Sequence, residues 1–199
     1  MNKITPELKK NFSFAEKLFS QGKYHEAIEK YKKILTEHPK TIQAINNIGL
    51  SYECLNKLDE AVEYYRKCSV MFPKEIIFLN NLANIYYKKK DYDNALKEMT
   101  KSLLIDNSQQ KIIERKAISL VGMNLINQVN LFLKTYLKKI PNNLLLNTLY
   151  GKNLITLNQH KKGLKYLKKG TGFIEFNENK VNLVWLKMKN IEIENNKSP

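Results

Sequence analysis

Cysteine is scarce in this sequence, which contains only Cys54 and Cys68. Neither belongs to a Cys-x-x-Cys pair or to a cysteine and histidine cluster with metal-site spacing, so we expect no bound metal and no cofactor. We interpret both residues as reduced thiols on helices. Cys68 falls at a position that favours a small buried side chain, where a free cysteine behaves as a small hydrophobe.

Long apolar runs are also missing, and none approaches the roughly 18 residues of a membrane span. The first residues, MNKITPELKKNFSF, lack the apolar core of a secretory signal. We therefore expect a protein without a transmembrane segment and with a cytoplasmic location. With 43% hydrophobic and 27% charged residues among its 199, the chain has the composition of a folded protein rather than a disordered one.

Arginine is as rare as cysteine, because the 34 basic residues comprise 32 Lys and 2 Arg. The chain also holds 24 Asn, a joint bias typical of AT-rich coding as much as of selected chemistry. Residues 1–100 carry 17 basic and 13 acidic side chains, whereas residues 101–199 carry 17 and 6. Most of the net charge of +15 thus lies in the second half, which an electrostatic partner should prefer.

A repeat of 34 residues runs through the chain. Its clearest copy combines aliphatic, small, aromatic and proline positions. They are Ile45, Ile48, Gly49, Tyr52, Ala61, Tyr65, Cys68 and Pro73. A shift of 34 residues in either direction places comparable residues at the same positions, among them Ala15, Ala27, Tyr31 and Pro39 in one direction and Ala83, Tyr86, Ala95 and Met99 in the other. Pro141 falls on the proline position without a gap.

This pattern resembles the tetratricopeptide repeat. The resemblance implies an all-α fold, a right-handed α-solenoid of five tandem helix-turn-helix repeats with a C-terminal capping helix. It places an N-terminal tail at 1–7, repeats at 8–41, 42–75 and 76–109, degenerate repeats at 110–143 and 144–177, and the capping helix and tail at 178–199.

Elementary packing explains the pattern. Each repeat has two helices joined by a turn, in QGKY, LNKL, KKDY, NLIN and NQHK. Small residues let the first helix approach the second, and proline ends the second helix because it has no backbone donor. The small residues are Ala15, Gly49, Ala83, Ala117 and Gly151.

The C-terminal segment ENKVNLVWLKMKN has helical apolar spacing through Val181, Val184, Trp185 and Met188. It resembles the extra helix that covers the open end of such arrays. A lone Trp185 on this helix is interpreted as core rather than as a ligand platform. Before it, GTGFIEF predicts that the fifth repeat's second helix ends near Gly170.

No catalytic constellation is present in the sequence, and we expect no enzyme activity. His25, His38 and His160 lie in turns or at helix ends of separate repeats, without a nucleophile placed beside them. A chain filled by repeats leaves no room for a catalytic domain.

Paired asparagines on the first helices are the candidate binding residues. AINNIGLSY and FLNNLANIYY carry them at the same repeat position. At 100° per residue, Asn47 and Asn81 point away from the packing face, whereas Asn46 and Asn80 flank the seam and are interpreted as filler. In the family the resemblance indicates, first helices line a concave groove. The candidate groove residues are Asn47, Asn81, Asn84, Lys88, Lys111, Arg115 and Lys152.

The family uses such positions in two ways. Carboxylate-clamp members grip the acidic C-terminal tail of a chaperone with five residues. Asn81, Lys111 and Arg115 match three of these, whereas Asn46 and Leu50 replace the first pair, which argues against a clamp. In the other use, an asparagine ladder pairs with an extended peptide backbone, since an amide both donates and accepts. Asn47 and Asn81 would form it, and chance recurrence in an asparagine-rich chain is the alternative.

A second candidate surface is a basic patch on the outer face of repeat five. Its members recur at helical spacing and are Lys161, Lys162, Lys165, Lys168 and Lys169. A solvated face is one interpretation, and contact with nucleic acid or an anionic membrane is the other. The shortage of arginine and aromatic residues argues against nucleic acid.

The sequence therefore predicts a protein-interaction adaptor that holds a peptide segment of a partner in its groove. Because the groove becomes basic toward its C-terminal half, the peptide is expected to be acidic there. The alternatives are a basic scaffold that contacts nucleic acid or an anionic surface through its convex C-terminal face, and an accessory subunit of a separately encoded enzyme.

Overall fold

The computed structural model describes residues 5–172, 175–177 and 180–182. These residues form ten helices, followed by a two-stranded hairpin. The chain divides into two compact units, Met1–Ile112 (unit 1) and Ile113–Pro199 (unit 2). The helices are α1 (Pro6–Ser20), α2 (Tyr24–Glu37), α3 (Ile42–Cys54), α4 (Leu58–Met71), α5 (Ile76–Lys88), α6 (Tyr92–Ile105), α7 (Gln110–Gly122), α8 (Ile126–Lys139), α9 (Leu144–Thr156) and α10 (His160–Thr171).

The turn inside each helix pair contains one residue with a left-handed backbone. These residues are spaced by 34 and are Gly22, Asn56, Lys90, Asn124 and Asn158, with φ between 56° and 75°. The next residue donates its N–H to a carbonyl five residues earlier, as from Lys57 N to Tyr52 O at 2.9 Å. This bond satisfies a carbonyl that the end of the first helix leaves free. The backbone thus keeps the 34-residue register of the sequence.

Helix ends follow from local chemistry. Thr5 caps α1, because its hydroxyl accepts from Leu8 N at 3.1 Å and Pro6 occupies the first turn, where a missing N–H costs nothing. The first helices α3, α5, α7 and α9 begin at residues 42, 76, 110 and 144. The prolines at 39, 73 and 141 each lie two residues beyond the end of a second helix, as expected of a residue that cannot continue one.

The core of unit 1 is built from small and large residues on facing helices. Around α1, α2 and the start of α3 it contains Ala15, Ala27, Tyr31 and Ile48, all fully buried, with Phe12 packed against them. The next pair repeats this arrangement, since a Cβ added at Gly49 would lie 2.9 Å from the Tyr65 ring. The predicted close approach of first and second helices is therefore present in unit 1.

In unit 2, α9 and α10 approach through glycine on both sides. A Cβ at Gly151 would lie 2.7 Å from the backbone nitrogen of Leu167, and one at Gly163 would lie 2.9 Å from the Gly151 carbonyl. Because these contacts involve backbone atoms, neither side can move aside easily. Glycine is thus required where the two helices cross.

The two cysteines behave as the sequence predicts. Cys68 is fully buried on α4, and Cys54 is an exposed free thiol. Burial raises the pKa of the Cys68 thiol to about 12, because the charged thiolate is disfavoured away from water.

The C-terminal segment differs in part from the prediction. Helix α10 ends at Thr171, close to the predicted Gly170, and Gly172 follows with φ 85°. Strand β1 (Glu175–Asn177) then pairs antiparallel with β2 (Lys180–Asn182), with Phe176 opposite Val181. The capping helix was predicted from residue 178, so its start is wrong. The sequence Lys-Val-Asn alternates polar and apolar residues, as a strand does. Trp185 and the remaining predicted helix lie outside the described residues.

None of the described helices combines the length and the hydropathy that crossing a bilayer requires.

Candidate peptide-binding face

Four of the predicted groove residues are on helices α3 and α5 of unit 1. Asn47 is on α3, and Asn81, Asn84 and Lys88 are on α5; we call these four residues the amide face. The three asparagines are partly exposed, and Lys88 is exposed. Lys111, at the start of α7, is an exposed residue of unit 1, whereas Arg115 and Lys152 belong to unit 2.

The doubled asparagines form a chain of hydrogen bonds across three helices. Asn81 Nδ2 on α5 donates to Asn46 Oδ1 on α3 at 2.9 Å, and Asn46 Nδ2 contacts Asn47 Oδ1 at 3.5 Å. Asn47 Nδ2 then donates to the Tyr31 hydroxyl on α2 at 3.1 Å. The interpretation of Asn46 as filler is therefore wrong, because it joins the asparagines of two repeats.

Tyr31 gives Asn47 a structural role. The tyrosine is fully buried, and its ring packs against Phe12 with centroids 5.5 Å apart. Burial raises the pKa of Tyr31, while the hydrogen bond from Asn47 lowers it. A hydroxyl buried without a partner costs stability. Asn47 therefore serves the fold through one of its donors, whatever else it contacts.

Asn80 is also a structural residue rather than filler. Its Oδ1 accepts from the Ser102 hydroxyl at 2.7 Å, and its Nδ2 donates to Gln109 Oε1 at 2.6 Å. Ser102 is on α6 and Gln109 lies just before α7. Asn80 thus ties the segment between α6 and α7 to α5.

Lys88 is not the unpaired groove cation that the sequence suggests. Its ammonium group lies 2.6 Å from Glu53 Oε1, and the other oxygen of Glu53 accepts from the Tyr65 hydroxyl at 2.8 Å. Burial and then the Glu53 charge raise the pKa of Tyr65. Sequence reasoning missed Glu53. The signal available was its spacing of 35 residues from Lys88, the same as that from Asn46 to Asn81.

Two amides on α5 retain hydrogen-bonding capacity toward solvent. The side chain of Asn84 makes no hydrogen bond to any residue in the described part of the chain, and Asn81 uses only its nitrogen. Asn81 and Asn84 are three residues apart, so they are neighbours on one face of the helix. Each can both donate to and accept from an extended backbone.

Unit 2 concentrates positive charge. Its described helical part, residues 113–172, carries 11 basic side chains and one acidic side chain, Glu114. The five lysines of the predicted basic patch are all exposed on α10, and none pairs with a carboxylate among the described residues. Arg115, which is half-buried, and Lys152, which is exposed, both engage other groups.

The three histidines are on separate elements, with His25 in the first turn of α2, His38 just after that helix and His160 at the start of α10. In the described residues no group of three or more His, Cys, Asp and Glu side chains is arranged to hold a metal ion.

These features define the class of the fold, tandem helix pairs of the tetratricopeptide type. Among solved structures, a crystal structure of MamA protein matches with a TM-score of 0.72 and 15% identity, over 81% of this chain and 88% of that chain. MamA 41-end from Desulfovibrio magneticus RS-1 matches with a TM-score of 0.71 and 13% identity, over 84% and 94%. YrrB, described as "a TPR protein with an unusual peptide-binding site", matches with a TM-score of 0.68 and 16% identity, over 80% and 82%.

Likeness at this level of identity shows the fold, and the predicted helical-repeat fold is confirmed. In sequence, a family model described as a domain of unknown function (DUF6340) matches residues 13–98, less than half of the chain. No curated protein matches the sequence.

Proposed function

We propose that the protein is a non-catalytic interaction scaffold that binds an extended segment of a partner protein along the amide face of unit 1. The observation that carries this proposal is the unused hydrogen-bonding capacity of Asn81 and Asn84, which are adjacent on α5 and open to solvent. The likeness to YrrB, a TPR protein described as having a peptide-binding site, supports it.

An amide suits this task because backbone recognition needs a donor and an acceptor together. Such contacts are independent of the partner's side chains, so neighbouring residues must provide the selectivity. On α5, Ile77 lies four residues before Asn81 and is 56% exposed. Helical spacing places it on the same side as the two asparagines. We therefore infer that the bound segment carries an apolar residue beside its paired backbone.

The charge of the two units bears on the partner's chemistry. Lys88 is paired with Glu53 on the amide face, so this face offers little net charge to an acidic segment. Most of the excess of basic residues belongs to unit 2. An acidic segment on the amide face is thus proposed to gain little affinity from Lys88.

The test is selection of peptides from a random displayed library against the full chain, followed by measured affinities for variants. Asn84→Ala should weaken selected peptides about 2- to 10-fold, the loss of one neutral hydrogen bond. It should leave thermal stability unchanged, because Asn84 bonds to no described residue. Asn107→Ala, which removes another exposed amide at the end of α6, is the matched control. Equal binding to wild type, Asn84→Ala and Asn81→Ala would exclude the amide face.

A second candidate function rests on the basic patch of α10. Eleven basic side chains against one acidic in residues 113–172 would attract an anionic surface by about 1 kcal/mol per lysine close to a lipid bilayer. Sedimentation with phosphatidylserine vesicles tests it. Replacement of Lys161, Lys165 and Lys168 by Gln should release the protein, whereas replacement of Lys17, Lys33 and Lys57 in unit 1 should not. Equal release of both triple variants would show that binding depends on the net charge of the protein and not on the basic patch of α10.

A further inference from the structure

A small cavity lies within unit 2. It has a volume of about 100 Å³ and is bounded by the end of α7, the first turn of α8 and the C-terminal half of α9. Its apolar walls come from Val121, Leu125, Ile126, Val129 and Leu149. All lining residues belong to unit 2, so the cavity shares no residue with the amide face.

A buried amide without a partner lines this cavity. Asn153 on α9 is 8% exposed, and its Nδ2 atom is buried without an acceptor. No atom of its side chain forms a hydrogen bond with another residue of the described chain. A buried unpaired donor costs stability comparable to a lost hydrogen bond, and native proteins rarely retain one without a use. The amide is therefore available to an acceptor brought by a ligand.

Charge around the cavity specifies the acceptor. Lys152 also lines it, with Asn124 and Thr156 as the other polar residues. Residues 113–172 contain a single acidic side chain, so the cavity lies in a positive field that favours an anion. A carboxylate meets both requirements, because it accepts from a buried amide and is attracted by the basic excess of residues 113–172.

Volume limits the remainder of the ligand. A water molecule or a methyl group takes about 30 Å³, so this cavity holds about three or four such groups. That is the size of a branched aliphatic chain such as isobutyl. From the geometry we propose that this cavity binds a branched aliphatic group attached to a carboxylate. The source is either the C-terminal aliphatic residue of a polypeptide or a free branched-chain acid.

Nuclear magnetic resonance of the isotope-labelled full chain tests the proposal, with isocaproate, N-acetyl-leucine and N-acetyl-leucinamide as probes. Asn153→Leu identifies the Asn153 side-chain signal. We expect a saturable shift of that signal with the two acids, and binding of the uncharged leucinamide at least tenfold weaker. N-acetyl-leucine as the tighter acid supports a polypeptide C-terminus, and isocaproate binding at least as tightly supports a free acid.

Variants separate ligand recognition from folding. Asn153→Leu should weaken both acids at least tenfold without lowering thermal stability, because it replaces an unpaired polar group with an apolar one of similar size. Asn130→Leu is the matched control. It removes the side-chain amide of a half-buried asparagine on α8 whose Oδ1 atom is buried without a partner, outside the cavity lining, and should leave binding unchanged.

Four results would overturn the proposal: no shift with either acid, equal affinity for leucinamide, full binding by Asn153→Leu, or equal loss in both variants. The absence of a shift with either acid would mean that the cavity holds ordered water only. None of these results depends on Asn81 or Asn84, so this proposal and that of the amide face fail independently.

Discussion

Replacement of Asn47 by alanine is expected to destabilise unit 1 through Tyr31. The asparagine Nδ2 donates to the tyrosine hydroxyl at 3.1 Å, and Tyr31 is fully buried. Without Asn47, that hydroxyl loses its donor and stays out of water, at a cost of about 1 to 3 kcal/mol. Loss of the weaker Asn46 contact at 3.5 Å adds little, because hydrogen bonds of that length are marginal.

A double-mutant cycle isolates this contribution. Tyr31→Phe removes the hydroxyl and the need to satisfy it, so the double variant Asn47→Ala/Tyr31→Phe should be more stable than Asn47→Ala alone. The coupling free energy should be about 1 kcal/mol, as expected for residues in direct contact. Urea unfolding followed by circular dichroism measures the four free energies. Asn84→Ala, which loses no described hydrogen bond, is the control and should match wild type.

A coupling free energy near zero would refute this reasoning. It would mean that the hydroxyl of Tyr31 is satisfied without Asn47, and that the asparagine is as free for a partner as Asn84. Coupling of the expected size would instead show that peptide affinity lost in Asn47→Ala includes a folding defect. Asn84 is for this reason the cleaner residue for binding assays.

Three further perturbations follow from the structure. Lys90 has φ 60° at the turn position where Gly22 has φ 75°. Lys90→Gly should therefore raise the free energy of unfolding in urea by about 1 kcal/mol, and Gly22→Ala should lower it by about the same amount. If both variants changed stability in the same direction, the left-handed backbone would not be the cause. The buried Cys68 thiol has its pKa raised from 9.0 to about 12, so its stabilisation is complete below pH 9 and is lost as pH rises toward 12. By pH 10 the free energy of unfolding of wild type should fall by about 1.4 kcal/mol more than that of Cys68→Ala. If the two proteins lost stability equally with pH, the raised pKa of Cys68 would be excluded as a cause. Gly151→Ala places a Cβ 2.7 Å from Leu167 N and should cost about 1 to 3 kcal/mol, measured by thermal unfolding, with Gly122→Ala, which meets nothing within 4 Å, as the control.

Much of the fold could be predicted because repeat physics is local. The position of a turn depends on a few residues, such as Asn56 with its left-handed backbone and Pro73 beyond the next helix. Helical spacing likewise identifies which residues face inward, and Ala15, Gly49 and Ala83 are buried as predicted. The error at β2 has a related cause, since Val181 fits helical spacing and strand alternation equally well over a short segment.

The candidate site was predicted less completely. Helical phase placed Asn81 and Asn84 off the packing face of α5, because orientation on a helix follows from counting residues, and both are partly exposed. It could not show that Asn81 bonds to Asn46, that Lys88 pairs with Glu53, or that Asn80 holds Gln109. Each of these contacts joins residues at least 29 apart in sequence. They depend on how neighbouring repeats pack.

The sequence by itself determined the period and the helix pairs, because these depend on spacing within one helix or one turn. Only the tertiary structure decided which amides are occupied and which remain open, and only it revealed the unpaired Asn153 beside a cavity. The physical reason is that a hydrogen bond between side chains requires a distance of about 3 Å, and packing between helices sets that distance.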